Sequence, residues 1–358
     1  MTIEVPPKAT TEVVHRLRPT PWSKPGSGPT LAGMDNVFEA AAAHRGGYIL
    51  RQDLLDLGVT DADIRGARRA GVIVRLRAGT YAPQGHERLS REEQYRLLCF
   101  AVQDKSHRDV VLSHYSASIV QTGTSYGLDL SQVHVTEPTQ STGRVEAGIV
   151  HHGGRLPDED VVEVDGHLMV VPARAALETA SLAGVEAGMV QVCAVLRSGV
   201  DPAEFTERLE QMARWPGIAK VRLSVLWSTP ECESVGEVRS VYMFRMGRLP
   251  IPRMQVEFFD ANGRLIARVD FDWEDFHHCG EFDGLAKYGR LNPYSAENLG
   301  QVLADEKVRE DRVRAIPRGM SRWIYPDLNR PQETCRRIYA AMQQSLRLYG
   351  RPQRTVIA

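Results

Sequence analysis

The sequence predicts a multidomain protein of the α/β and α+β classes, and three observations support this. The chain has 358 residues, enough for two or three domains with separate cores. A proline-rich stretch precedes the first periodic segment, and helix-like and strand-like segments then alternate. The predicted parts are a flexible tail over 1–33, a small helical domain with a hairpin over 34–84, a mixed α/β domain over 85–200, a helical connector over 201–230 and an α/β/α core over 231–350.

Composition is that of an ordinary globular protein, with 42% hydrophobic and 25% charged residues. The formal net charge of −1 provides no global basic field, so any binding of nucleic acid has to rest on local patches. Five scattered cysteines without a CxxC pair argue against a disulfide framework and against a zinc site. Since no apolar run approaches about 20 residues and no signal-peptide pattern is found, we expect a cytoplasmic protein without membrane contact.

Residues 34–84 predict three short helices followed by a hairpin. The expected elements are a helix over 35–43, an extended piece over 48–50, helices over 52–57 and 60–70, and a hairpin of 72–76 and 80–81. Asp35 and Thr60 are placed to cap the first and third helices, and Gly46-Gly47 and Gly71 interrupt the helical pattern. This order is that of a winged helix-turn-helix, whose third helix enters the major groove of DNA.

The third helix and the hairpin are rich in arginine and lack acids from Ile64 to Pro83. The arginines are Arg65, Arg68, Arg69, Arg75 and Arg77. The first three lie at helical spacing on one face, and the other two lie on the hairpin. Because guanidinium groups bind both phosphate and the guanine edge, we predict that these residues contact double-stranded DNA. The alternative is a small helical domain with a solvated basic face.

Residues 85–200 predict a mixed scaffold. The expected elements are a helix over 91–103, strands over 110–113, 133–136, 149–152, 161–164 and 167–171, a helical stretch through Ile119, and helices over 172–180 and 185–197. His114 and the pair His151-His152 are candidate ligands. No carboxylate or cysteine is spaced to complete a site with them, so we interpret them as structural histidines.

The stretch GGYILRQDLLDLGVTDADIRGARRAGVIVRLRAGTYAP resembles the N-terminal domain of AbiEi-family antitoxin proteins. The segments VVLSHYSAS, VHVTEP and VVEVDGHLMVVPARAALETA are similar to the middle part of the actinobacterial members. Together they cover roughly residues 35–200. The resemblance implies DNA binding through the winged helix, commonly at a promoter or operator, with a cognate toxin or a second copy of the chain as further partner.

Residues 231–330 carry the chemically suggestive pattern. A helix over about 233–246 presents Glu233 and Glu237 one turn apart. Strands over 254–259 and 265–273 flank an Asn-Gly turn, a strand over 280–284 follows, and MSRWIYPDL predicts a closing strand and turn. On the strand over 265–273, Asp270 and Asp272 share one face, while Val269, Phe271 and Trp273 share the other.

Strand alternation predicts that Asp270 and Glu281 face each other, with Asp283 on the same side. Lys287 lies one helical turn beyond Asp283 and leans back over the same pocket. Carboxylates on adjacent strands repel unless a cation lies between them, and hard oxygen ligands suit Mg²⁺ or Mn²⁺. We therefore predict a divalent-metal site. The alternative is a set of surface acids in which Asp272 and Glu274 are simply solvated.

Such a site suits phosphodiester cleavage, because the metal activates water and stabilises the charge of the pentavalent phosphate. The segments ARVDFDW and GEFDGLAKYGR resemble the very-short-patch-repair-like branch of PD-(D/E)XK nucleases. This resemblance implies a restriction-endonuclease-like core with Asp270 and Glu281 as metal ligands and Glu237 as an accessory acid. Asp283 replaces the expected lysine, so Lys287 is either a migrated substitute or a sign of a binding-only relic.

Three functional hypotheses follow. The first is a DNA-binding protein with a metal-dependent endonuclease domain, which cleaves DNA in defence or in a toxin–antitoxin system. The second is an AbiEi-like antitoxin or transcriptional repressor whose nuclease fold is non-catalytic. The third is a defence protein that acts on RNA. A predicted basic helix over 295–315 suits either a nucleic-acid backbone or plain solvation, so it does not separate them.

Overall fold

The computed structural model describes residues 34–106, 109–138, 142–260, 262–284 and 316–350. The predicted tail over 1–33, Lys287 and the predicted helix over 295–315 lie outside these described residues. Contacts divide the chain into two compact units, Met1–Arg88 and Leu89–Ala358, which we call the N-terminal unit and the C-terminal unit. The described residues form twelve α-helices and three sheets, a mixed α/β arrangement.

The N-terminal unit has the predicted order of three helices and a hairpin. Its elements are α1 Met34–His44, β1 Ile49–Leu50, α2 Arg51–Asp56, α3 Asp61–Arg69, β2 Ile73–Arg77 and β3 Thr80–Pro83. The three strands form an antiparallel sheet in the order β1-β3-β2. Thr60 begins α3 as predicted, because its hydroxyl accepts a hydrogen bond from the Asp63 N–H and the Asp63 carboxylate accepts one from the Thr60 N–H.

The C-terminal unit contains the remaining elements. Its helices are α4 Arg91–Lys105, α5 His114–Thr122, α6 Pro172–Ala183, α7 Val185–Arg197, α8 Pro202–Gln211, α9 Ile218–Trp227, α10 Val235–Gly247, α11 Tyr325–Leu328 and α12 Pro331–Tyr349. Its strands are β4 Val111–Leu112, β5 Val133–Glu137, β6 Arg144–Glu146, β7 Ile149–Gly153, β8 Val161–Val164, β9 His167–Val170, β10 Arg253–Phe259, β11 Leu265–Trp273, β12 His278–Asp283 and β13 Gly319–Ile324.

Two sheets organise this unit. The six-stranded sheet has the order β6-β7-β5-β4-β9-β8, and the four-stranded sheet has the order β10-β11-β12-β13. In the second sheet the first three strands are antiparallel, while β13 pairs with β12 in parallel. The side chains of Phe271, Trp273 and Trp323 pack with α10 and α12 in one hydrophobic cluster, so these helices cover one face of that sheet.

Gly280 marks how closely that face is packed. A Cβ at this position would lie 2.6 Å from the Trp323 ring and 3.0 Å from the Trp273 ring. Met189 and Cys193 of α7 belong to the same hydrophobic cluster as the residues of α10 and α12. Because this core is shared, the boundaries predicted at 200 and 230 fall inside one compact unit. Among the described helices, none combines the length and the apolar composition that crossing a lipid bilayer requires.

Candidate nucleic-acid interface and acidic sheet face

Three predicted DNA-contacting arginines lie exposed on α3. Arg65, Arg68 and Arg69 are all solvent-exposed, while Ile64 of the same helix is buried in the core. Within the described residues, none of their three guanidinium groups forms an ion pair or a hydrogen bond. Since a guanidinium carries five N–H donors, α3 presents hydrogen-bond donors that no described side chain uses.

The acids that precede these arginines on α3 are engaged elsewhere. The Asp61 carboxylate accepts a hydrogen bond of 2.8 Å from Arg51 Nε, and this bond is the main reason that the pKa of Asp61 is lowered. Asp63 is held in the capping box with Thr60, and its hydrogen bonds to Thr60 lower its pKa. Negative charge at a helix N-terminus is favourable. These acids therefore stabilise the start of α3 and leave its second half basic.

The two hairpin arginines differ from each other. Arg75 is exposed, and its Nε donates a hydrogen bond of 3.2 Å to the Arg77 carbonyl oxygen. Arg77 is partly buried, and this burial lowers the pKa of its guanidinium. Because α3 packs against β2, the exposed arginines of the helix and the hairpin belong to one compact unit. We call Arg65, Arg68, Arg69 and Arg75 the arginine face.

The predicted acids of the four-stranded sheet share one side of it. Asp272 pairs with Cys279 in the register of β11 and β12, and their side chains meet with 3.5 Å between Sγ and Oδ1. Alternation then places Asp270, Glu281 and Asp283 on that same side. Phe271 is opposite Gly280, so Asp270 and Glu281 are the next pair along the two strands. We call this side, with Asp270, Asp272, Glu281 and Asp283, the acidic face.

The two predicted metal ligands already have hydrogen-bonding or ionic contacts. Asp270 Oδ2 accepts a hydrogen bond of 2.9 Å from the Phe282 N–H. Glu281 is only 4% exposed, and its Oε2 lies 3.0 Å from Arg322 Nε. Arg322 is the register partner of Glu281 on β13, so the ion pair follows directly from the strand pairing.

Asp272 is a buried residue that the sequence did not single out. It is 2% exposed, so the alternative in which Asp272 is a simply solvated surface acid is wrong for this residue. Arg318 Nε lies 3.4 Å from its Oδ1. Burial raises the pKa of the Asp272 carboxyl, and the nearby Arg318 charge acts in the opposite direction. The signal for this residue was its shared alternation with Asp270.

Glu237 has a structural role at the start of α10. Since α10 begins at Val235, Glu233 precedes the helix instead of lying on it as expected. Glu237 Oε1 accepts a hydrogen bond of 2.7 Å from Ser234 Oγ, and Oε2 accepts bonds of 2.9 Å from the Glu233 N–H and 2.8 Å from Gln255 Nε2. Within the described residues, Glu237 contacts neither Asp270 nor Glu281. These bonds make Glu237 a capping residue.

The predicted Mg²⁺ or Mn²⁺ site does not emerge from these contacts. Across the described ranges, no group of three or more His, Cys, Asp or Glu side chains is arranged to hold a metal ion. Asp283 is partly buried at the end of β12, where its register partner is Ile324. Lys287 lies outside the described residues, so its predicted role stays a prediction.

A histidine cluster in the six-stranded sheet was missed from sequence. The rings of His114 and His152 stack with their centroids 3.6 Å apart, and His134 Nδ1 lies 3.0 Å from His152 Nε2. The Glu178 carboxylate, fully buried on α6, accepts a hydrogen bond of 3.0 Å from the His114 N–H. His134 and His152 lie on the adjacent strands β5 and β7, and this pairing could not be inferred from their spacing in the sequence.

Burial keeps these imidazoles neutral. Burial, together with the neighbouring histidines, lowers the pKa of His134 to about 4 and that of His152 to about 3. The pKa of His114 is also well below its usual value, first because of burial. The interpretation of His114 and His152 as structural histidines therefore agrees with their surroundings, since each is packed against another ring.

No protein-family model matches this chain, and no curated protein sequence matches it either. Among solved structures, the chain is similar to the crystal structure of the RV2827C protein from Mycobacterium tuberculosis. The sequence identity is 12% and the TM-score is 0.36. The similarity covers 65% of this chain and 90% of that chain.

Proposed function

We propose that this protein binds double-stranded DNA through α3 and the β2–β3 hairpin and acts as a DNA-binding regulator of the AbiEi antitoxin or repressor type. The observation that carries the proposal is the arginine face. Its four guanidinium groups are exposed, and none has a carboxylate partner within the described residues. A DNA backbone supplies the missing negative charge at regular intervals.

The order of elements supports the same function. Three helices followed by a two-stranded hairpin is the arrangement of a winged helix, in which the third helix enters the major groove. In this chain α3 is that third helix, and three of the four members of the arginine face lie on it. Arg75 lies on β2, where a wing contacts the DNA backbone beside the groove.

The acidic face supports a regulator over a nuclease. Asp270 and Glu281 share that face, as a PD-(D/E)XK nuclease requires, but Glu281 is paired with Arg322 and Glu237 caps α10. Asp283 also occupies the position of the expected lysine. The endonuclease hypothesis instead predicts Mg²⁺-dependent nicking of plasmid DNA, and it predicts that Asp270→Ala and Glu281→Ala abolish this nicking. The hypothesis of a defence protein that acts on RNA predicts cleavage of an RNA substrate.

The test is DNA binding by the full chain. Duplexes selected from a random library serve as probes, and their affinity is measured at several salt concentrations with the wild type and with Arg68→Ala. Loss of one phosphate contact lowers the slope of log K against log salt by about 0.9, and loss of a base contact costs about 1–3 kcal/mol. Arg222→Ala is the matched control, because Arg222 is an exposed arginine on α9.

The expected result is selection of a duplex whose affinity falls in Arg68→Ala and not in Arg222→Ala. Equal affinities for wild type and Arg68→Ala, or no salt-dependent binding of any duplex, contradict the proposal. Plasmid and RNA incubated with the same preparation, with and without Mg²⁺, report on cleavage in the same experiment. A regulator leaves both intact.

A further inference from the structure

Two arginines reach the acidic face from the edge of the four-stranded sheet. Arg322 lies on β13 directly beside Glu281, and Arg318 precedes the same strand. Each makes an ionic contact with a buried carboxylate: Arg322 with Glu281 at 3.0 Å and Arg318 with Asp272 at 3.4 Å. No sequence pattern connected these arginines with the acids.

We propose that the guanidinium groups of Arg318 and Arg322 take the place of a divalent cation on the acidic face, where they neutralise its two buried carboxylates, Asp272 and Glu281, without bound metal. The inference goes beyond DNA binding, because it concerns residues of the C-terminal unit alone. It also contradicts the metal site expected from the resemblance to nucleases. Two buried carboxylates on one face require positive charge, and the protein supplies that charge from its own β13.

The position of Arg322 follows from strand pairing. β12 and β13 run parallel, with Glu281 opposite Arg322 and Cys279 opposite Met320. Side chains of paired residues on adjacent strands project to the same side, so the guanidinium is brought to the Glu281 carboxylate by the sheet itself. Glu281 of β12 lies opposite Asp270 of β11, so the Arg322 guanidinium also reduces the repulsion between these two carboxylates.

Arg318 is held on the same face by several contacts. Its guanidinium carbon lies 5.3 Å from the centre of the Phe258 ring, and its Nη1 donates a hydrogen bond of 3.3 Å to the Glu274 carbonyl oxygen. The remaining Asp272 contact is the Cys279 thiol at 3.5 Å. The Phe258 ring and the Glu274 carbonyl oxygen hold the Arg318 guanidinium in place, where its positive charge stabilises the buried Asp272 carboxylate.

The ligand geometry of a hard cation is not met by the described residues. Mg²⁺ demands a near-octahedral set of oxygen ligands that point at one centre. Asp270 instead accepts a backbone N–H of β12, and Glu237 is committed to the cap of α10. Within the ranges that the structure describes, no three carboxylate, histidine or cysteine side chains converge on a common point.

The test compares metal dependence in the full-length wild type and in Arg322→Gln. The melting temperature of each is measured in EDTA, Mg²⁺ and Mn²⁺, and Mn²⁺ binding is measured by calorimetry. The wild type is expected to show no saturable binding and the same melting temperature in all three solutions. Arg322→Gln is expected to melt roughly 5–10 °C lower in EDTA and to recover part of that loss in Mn²⁺, because the buried Glu281 carboxylate then lacks the charge of the Arg322 guanidinium.

Two further variants serve as controls. Glu281→Gln combined with Arg322→Gln is expected to melt higher than Arg322→Gln alone and to lose the response to Mn²⁺, since the uncompensated buried charge is gone. Arg264→Gln, an exposed arginine in the turn that joins β10 and β11 of the same sheet, is expected to behave as the wild type. If Arg322→Gln does not fold, Arg322→Lys takes its place and is expected to retain wild-type indifference to Mn²⁺.

Either of two results overturns the proposal. The first is saturable Mn²⁺ binding by the wild type, with a higher melting temperature in Mn²⁺ than in EDTA and loss of both effects in Asp270→Ala. The second is an Arg322→Gln protein that melts as the wild type does and ignores Mn²⁺. DNA binding by the arginine face is measured separately, so each of the two proposals can be tested even if the other is wrong.

Discussion

Two sets of arginines, one in each unit, have opposite surroundings. On α3 of the N-terminal unit, Arg68 and Arg69 are exposed and have no ion pair within the described residues. In the C-terminal unit, Arg174 is buried between Asp160 and Glu178, with contacts of 2.6 and 2.7 Å. Arg239 is similarly buried between Glu186 and Asn329.

The difference reflects the cost of removing charge from water. A buried guanidinium needs carboxylates and carbonyls around it, because desolvation is otherwise too unfavourable. An exposed one is satisfied by water and keeps its donors available for a partner. We therefore assign a structural role to Arg174 and Arg239 and a binding role to the exposed arginines of α3, and four experiments test this assignment.

The largest expected effect comes from Arg174→Ala. This change leaves Glu178 and Asp160 buried with fewer positive partners, although Arg208 still lies 3.0 Å from Asp160. We expect the free energy of unfolding to fall by about 3–5 kcal/mol in urea denaturation. Arg174→Lys keeps the charge but loses the forked geometry, so its loss is smaller. A loss below about 1 kcal/mol in Arg174→Ala would contradict the structural role assigned to this buried arginine.

The second prediction concerns a loss of DNA affinity without a loss of folding stability. Arg68→Ala combined with Arg69→Ala is expected to weaken duplex binding by about 2–4 kcal/mol, because two sets of guanidinium donors are lost. The free energy of unfolding is expected to change by less than about 0.5 kcal/mol, since both residues are exposed and unpaired among the described residues. A fall in stability as large as the fall in affinity shows that these arginines support the fold instead.

A third experiment asks how burial affects the protonation of two clustered histidines, His134 and His152. The pKa of His134 is lowered to about 4 and that of His152 to about 3, from an ordinary value of 6.5. Below pH 6.5 the unfolded chain takes up protons that the folded chain refuses, so stability falls with falling pH and levels off near pH 3. We expect a loss of about 2 kcal/mol between pH 6 and pH 5, roughly half of it from each histidine.

Urea denaturation at several pH values measures this slope, and His152→Asn is the matched variant. Its slope between pH 6 and pH 5 is expected to be shallower by roughly one proton, because one buried imidazole is absent. An unchanged slope in His152→Asn locates the pH dependence in other groups.

The smallest effect is expected at a paired but exposed arginine. Arg253 and Glu274 form an ion pair of 3.1 Å, with side chains 67% and 63% exposed. Arg253→Ala is expected to change the free energy of unfolding by no more than about 0.5 kcal/mol, because water and salt screen the pair. A loss comparable to that in Arg174→Ala shows that pairing, and not burial, separates the two classes of arginine.

Much of the local structure was predictable from sequence. The bounds Leu265–Trp273 and Val185–Arg197 were predicted as the structure has them, because strand alternation and helical periodicity are strong in both segments. The strand Arg144–Glu146 was not predicted, since it is short, largely exposed and defined by its pairing with β7. Residues Tyr325–Leu328, expected as a turn, form a short helix that Asp327 caps through the Ile324 N–H.

The amino-acid sequence alone determined which side chains share a face, because alternation and helical spacing are properties of neighbouring residues. It placed Asp270 with Asp272 and predicted the order of elements that carries the arginine face. Tertiary structure alone decided which charges are neutralised. Arg322 reaches Glu281 only because β13 pairs with β12, and Gln255 reaches Glu237 only because β10 lies beside α10. Burial and counter-charge depend on such long-range contacts, which no local pattern encodes.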